Sequence, residues 1–254
     1  MIRTYGGTMK VLLASAIALV FIGQGPSSST QIVIHAPAAL SERAAEALQP
    51  VLDAVSRERQ RQVEEPALTD AERLVYMGRL DQIARRAAQA MDVSSLSPEE
   101  IRAARTRALG VAALVDRENQ AGLLAMAPSD RWFTVEDYGE EASRAAFLIV
   151  QHGDEELRRR FVPLLEPLVG TGRIDDANYA MMYDRLAVEE GRLQRYGSQF
   201  ACKGQESEVA PMEDPDGVDA RRAAMGMNSM TENAARFANG NPCQMFNRPA
   251  ATEP

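Results

Sequence analysis

The chain of 254 residues has two cysteines, two histidines and one tryptophan, and aromatic residues make up only 6% of it. It has no glycine-rich phosphate loop and no G-x-S-x-G turn, so P-loop nucleotide chemistry and α/β-hydrolase chemistry have no motif to rest on. Its cysteines and histidines lack ligand spacing, whereas a zinc site takes three or four N, S or O ligands. A magnesium or calcium site drawn from Asp81, Asp116, Asp154 and Asp184 has no loop pattern behind it. No metal and no cofactor are therefore expected. There is no basic stripe either: 28 Lys and Arg face 36 Asp and Glu, for a net charge of −8. That balance speaks against a nucleic-acid backbone or an anionic lipid surface as partner. Internal repeats and low-complexity blocks are absent.

What is present begins with a targeting pattern. Arg3 and Lys10 precede the apolar run VLLASAIALVFIG. This run is short of the ~20 residues that span a bilayer and suits a secretory core. Residues 1–28 thus read as a signal peptide, with an uncleaved N-terminal anchor as the alternative. No cysteine follows the run, which disfavours a lipid anchor. Residues 29–40, which hold His35, read as a linker, 41–246 as one helical domain and 247–254 as a tail. The chain is expected to be exported, periplasmic or secreted, with no membrane contact beyond the signal or anchor.

The domain reads as mainly α, a multi-helix single domain with one small C-terminal β-hairpin. Ser41 opens a first helix that Pro50 should kink or divide, since proline lacks an N–H and crowds the preceding turn. Thr69 and Glu72 have capping-box spacing before the second helix. Ser97, Pro98 and Glu100 mark the start of the third. The almost wholly apolar GEEASRAAFLIVQH should be a central helix. Asp154 can cap the next one, which Gly170 ends, and its Arg158–Arg160 run reads as a solvated face. A further helix holds Asp184 and Arg185. A hairpin should turn near Lys203–Gln205, and two short helices should follow, one ended by Gly226 and one opened by Ser229.

The ordered set DQIAR, VDREN, IVQHGD, YDRLAVEEGRLQRYGSQ and VDARRAAMG resembles the bacterial domain-of-unknown-function family 6624, over roughly residues 70–227. The family pattern runs Asp-Gln-x-x-Arg, Asp-x-x-Asn, Gly-Trp-Pro, Val-Gln-His-Ala-Asp, Tyr-Leu-Thr-Asp-Arg and Gln-x-Tyr-Gly-Thr-Gln. Its polar positions fall on Asp81, Gln82, Arg85, Asp116, Asn119, Gln151, His152, Asp154, Asp184, Arg185, Gln194, Tyr196 and Gln199. Here Arg131-Trp132-Phe133 stands for Gly-Trp-Pro, Gly153 for Ala, Met181-Met182-Tyr183 for Tyr-Leu-Thr and Ser198 for Thr. The resemblance implies positions and no reaction.

Asp81 and Arg85 are four residues apart on one helix face, and Asp116 and Asn119 three apart. Polar groups on core-bound helices need partners, so these are expected to meet one another around His152. In one reading His152 is a general acid–base, oriented by Asp81 or Asp184. Arg185 or Arg85 then holds an anionic group of a small molecule, and Tyr196 and Gln199, on the hairpin, line the mouth. In the other, the set is a buried structural network of a non-catalytic module that binds an envelope protein. Ser198 is a weak candidate nucleophile. Cys202 and Cys243 are expected to pair as a disulfide, because an exported chain with two cysteines folds in an oxidising compartment.

Overall fold

The computed structural model describes residues 40–67, 69–203 and 206–238. The expected signal peptide, His35, Cys243 and the 247–254 tail lie outside them, and with Cys243 the pairing of Cys202. Among the described residues there are nine α-helices and one two-stranded sheet. The fold is mainly α, with its hairpin near the C-terminus. No helix among these residues is long and apolar enough to cross a membrane.

Three long helices come first: α1 (Glu42–Glu64), α2 (Asp70–Gln89) and α3 (Pro98–Met126). Their starts are local. Ser41 accepts from the backbone N–H of Ala44, while Thr69 with Glu72 and Ser97 with Glu100 form complete capping boxes. Pro50 does not divide α1, which runs through it as one helix. Pro50 is on the exposed side, so water can take the carbonyl it leaves free, while Leu48, Val51 and Val55 hold the opposite side in the core. Leu48 and Val51 pack with Ala104 and Ala108 of α3. Val55 packs with Leu80, Ala84, Ala112 and Val115 in a layer between α1, α2 and α3.

The main core lies beyond α2. The short α4 (Val135–Tyr138) leads into α5 (Glu140–His152), followed by α6 (Glu155–Leu165) and α7 (Asp176–Glu189). Trp132, Phe133, Phe161 and Val150, all at most 1% exposed, fill the space between them. Glycine is required where α2 meets α5: a Cβ on Gly78 would stand 2.6 Å from that of Ala145. This close approach brings the end of α5 alongside the middle of α2. α6 stops at Leu165, and a 3-10 turn over Glu166–Leu168 leads to Gly170 at φ 73°.

Strands β1 (Phe200–Lys203) and β2 (Glu206–Val209) pair antiparallel, with Phe200 opposite Val209 and Lys203 opposite Glu206. Tyr196 and Gln199 precede β1 rather than lying in the hairpin. Helices α8 (Val218–Ala224) and α9 (Met230–Ala238) complete the described chain. Gly226, at φ 66°, follows α8, and Ser229 and Glu232 bond reciprocally at the start of α9.

Candidate functional site

Helical spacing places Asp81 and Arg85 on one face of α2, toward α3 and the last residue of α5. His152 Nδ1 lies 2.8 Å from Asp81 Oδ1. Arg85 Nε is 3.1 Å from the same oxygen and 3.1 Å from His152 Nδ1. Nδ1 cannot both donate and accept. The shorter contact to a charged acceptor assigns its proton to the Asp81 bond, and Arg85 Nε–H then serves Asp81. The tautomer is fixed, and Nε2 is left with no protein partner among the described residues. Arg85 Nη2 reaches across to both oxygens of Asp116, at 2.7 and 2.9 Å. Gln82 donates to the other Asp81 oxygen at 2.8 Å.

The cluster is set at a rim. The Asp81 side chain is 1% exposed, while His152 and Asp116 keep 19% and Arg85 29%. Burial pushes the Asp81 carboxyl up, but the hydrogen bond and charge of His152, with Arg85 and Gln82, outweigh it and hold it below the usual range. Asp116 goes the other way. Its burial, aided by the charge of Asp81, exceeds the pull of Arg85 and raises it. Two neighbouring carboxyls driven apart in acidity are a recurrent feature of acid–base sites.

Single ligand atoms of Asp81, Asp116 and His152 lie within 4.8 Å of one another, close enough for a metal-ligand set. Arg85 already bridges both carboxylates and supplies the positive charge there. The four-carboxylate set weighed from the sequence does not assemble. Asp154 caps α6 through the N–H of Leu157 and accepts from Gln120, and Asp184 is engaged elsewhere.

The expectation that Asp184, Tyr196, Gln194 and Gln199 join His152 is not met. Asp184 is 0% exposed and takes the backbone N–H groups of Arg195, Tyr196 and Ser198 at 2.7 to 3.2 Å. Its oxygens are consumed in folding the segment after α7, so it cannot orient the His152 ring. Gln194 also binds backbone: its amide donates to the carbonyls of Gln199 and Ala210 and accepts from the N–H of Gln199. Tyr196, 7% exposed, packs edge-on against Tyr183, and Gln199 donates to Ser198 Oγ. These residues form a second, structural network. Asn119 is structural too, tying α3 to the carbonyl of Met77 at 3.0 Å. Gln151 is buried, and its Oε1 has no donor among the described residues.

Two arginines escaped the sequence reading. Arg158, taken for part of a solvated face, is 2% exposed. It donates to the carbonyls of Val150, Gln151 and Gly153, capping the end of α5, and binds Glu189 through two nitrogens. The signal was available: Arg158 adjoins Leu157 and stands four residues before Val162, on the edge of the apolar stripe of α6. Arg159 and Arg160 fall outside it and are exposed. Arg222, also 2% exposed, holds the carbonyls of Tyr196 and Asn228, and burial lowers its basicity. No motif marks it.

An open groove of about 460 Å³ runs between the ends of α1 and α3, over Tyr76, Met77, Gly122 and Met126. None of the His152 cluster lines it.

A model of the family of unknown function DUF6624 matches residues 72–240, more than half of the chain. The chain belongs to DUF6624. No curated protein and no solved structure matches it. The DUF6624 segment runs from the first turn of α2 past α9, so both polar networks lie inside it and α1 precedes it.

Proposed function

We propose that the chain is an enzyme of hydrolase-like or lyase-like type, in which His152 exchanges a proton with a small anionic substrate through Nε2. Asp81 holds Nδ1–H and stabilises the imidazolium, as a carboxylate does behind a catalytic histidine. Arg85 keeps Asp81 and Asp116 in place, and Arg185 meets the substrate's negative group. The observation that carries this reading is the 2.8 Å bond between a histidine that still reaches solvent and an almost fully buried carboxylate. A screen of the purified protein against small phosphorylated and carboxylated esters and ethers tests it. With a substrate in hand, His152→Asn is expected to lower turnover by about 10²–10⁴-fold, the range of general acid–base assistance. A variant as active as the parent would sink the reading.

A second reading has its own support. Arg85 and Asn119 both bond across α2 and α3, so the cluster can act as a helix lock in a non-catalytic module that binds an envelope protein. In that case His152→Ala costs about 1–3 kcal/mol of stability through unpaired partners and no substrate is turned over. Export completes the proposal, supported by Arg3, Lys10 and the apolar run after them. So does a Cys202–Cys243 disulfide, closing a loop of about 40 residues and worth roughly 3–4 kcal/mol in the chain-entropy view. Thiol titration of the unreduced, denatured protein is expected to find no free thiol, and two per chain would refute the bridge.

A further inference from the structure

Helices α1 and α3 lie side by side and parallel, and two contacts fix their register. Ser41 Oγ donates to Glu100 at 2.7 Å where both helices begin, and Arg59 pairs with Glu118 at 2.5 Å further along. The partners are 59 residues apart in both pairs, so Leu52 stands level with Val111. Leu52 is two turns before Arg59, on the same side of α1. The outer side of this seam is apolar and open. Among the described residues seven large hydrophobics are exposed, and three share this face: Leu52 at 37%, Val63 at 74% and Leu114 at 50%. Val63 is three turns after Leu52, and Leu114 is one turn after Val111. Gly110 is exposed there too, and a Cβ on it would meet nothing within 4 Å. Arg107, Leu114 and Glu118 follow at i, i+7 and i+11, within about 40° of one another around α3. Arg107 is exposed and has no hydrogen-bond or ion-pair partner among the described residues. Asp116 turns to the other side of α3, where it meets Arg85, so this face is separate from the His152 cluster.

We propose that the outer face of α1 and α3 is the interface of a homodimer, with a second copy of the chain packed antiparallel on it, α3 against α3. Charge and size both favour a copy. A two-fold axis that sets Arg107 opposite the partner's Glu118 does so twice, because symmetry repeats each contact with the roles exchanged. Glu118 is then held between its own Arg59 and the partner's Arg107. In the same register Leu114 falls opposite the partner's Val111 and beside the partner's Leu52. Leu52 and Leu114 of both copies thus form a dry centre, with the ion pairs as its rim. Gly110 leaves room for the partner's Leu114, and Arg117 falls at the border, in reach of water. Two adjacent helices, each about 10 Å wide and about 35 Å long, offer a footprint of roughly 700 Å² per copy. Each partner in a stable complex buries about 800 Å². The dimer does not depend on the role of His152.

Sedimentation velocity of the purified full-length chain, from about 1 to 100 μM, measures the mass of the particle. Two chains per particle are expected, dissociating on dilution. Leu114→Glu puts a charge in the centre and should leave a monomer. Leu114 is half in water, so the change should cost the fold little, and far-UV circular dichroism checks that the helices persist. Association through the apolar run after Lys10 would survive Leu114→Glu and count against the interface. Arg107→Glu and Glu118→Arg each set like charges opposite one another. Each should weaken association about tenfold or more, at 1.4 kcal/mol per decade. Combined in one chain they restore opposite charges and should recover the parent's affinity to within about threefold. A monomer at about 100 μM would overturn the proposal and leave the face to a different protein. So would a particle of any other size, a Leu114→Glu protein that dimerises like the parent, or a double variant no better than the weaker single one.

Discussion

Replacing Asp184 by alanine leaves three backbone N–H groups, those of Arg195, Tyr196 and Ser198, without their acceptor, that of Tyr196 buried and the other two partly so. They now lie 2.7 to 3.2 Å from the carboxylate, whose own exposure is 0%. A hydrogen bond to a charged partner contributes about 1.5–3 kcal/mol, so the three together are worth about 4.5–9 kcal/mol. That is a large share of the ~5–15 kcal/mol that holds a domain folded. At roughly 2–4 °C per kcal/mol for a chain of this size, even the lower bound lowers the melting temperature by about 8 °C or more. Asp184→Asn keeps one acceptor oxygen but turns an amide N–H toward backbone donors, so its loss should be intermediate. Urea unfolding at neutral pH, followed by far-UV circular dichroism, measures both variants against the parent. An Asp184→Ala protein with the parent's midpoint would refute the structural assignment of Asp184 and return it to the catalytic candidates.

Arg158→Met should cost about 3–5 kcal/mol, the penalty for breaking a buried ion pair, whereas exposed Arg159→Met should stay within about 0.5 kcal/mol; equal melting temperatures for the two would refute the capping role. Gly78→Ala gains up to about 1 kcal/mol of helix propensity, but its Cβ would meet Ala145 at 2.6 Å, so a net loss of about 1–3 kcal/mol is expected. A more stable variant would show that α2 and α5 can separate freely. Asp81, held below its unfolded value near 3.9, contributes stability at neutral pH that disappears as pH falls through its folded value, while the raised Asp116 works in the opposite sense. Urea midpoints from pH 7 to pH 3 should therefore fall less steeply for Asp81→Asn than for the parent and more steeply for Asp116→Asn; identical slopes would contradict the assignment.

What could be read from the chain alone were features decided within a turn or two of helix. Ser41, Thr69, Ser97 and Asp154 satisfy N–H groups three residues ahead, a geometry that needs no partner from elsewhere, and all four cap as expected. The meeting of Asp81, Arg85, Asp116 and His152 was also legible in part, because the i,i+4 spacing and the apolar run before His152 constrain which faces turn inward. The division of the polar residues into two networks was not. Whether Asp184 faces His152 or the segment after α7 depends on how α7 is rotated about its axis, and one residue of a 3.6-residue turn changes direction by about 100°. The same rotation separates buried Arg158 from exposed Arg159, neighbours in a run of three like charges. Pro50 shows the converse: its local rule allowed a kink or a division, and burial of Leu48, Val51 and Val55 against α2 and α3 kept the helix undivided. Hydrogen bonds between residues three or four apart are set by backbone geometry, and those between helices wait on the core that fixes how the helices cross.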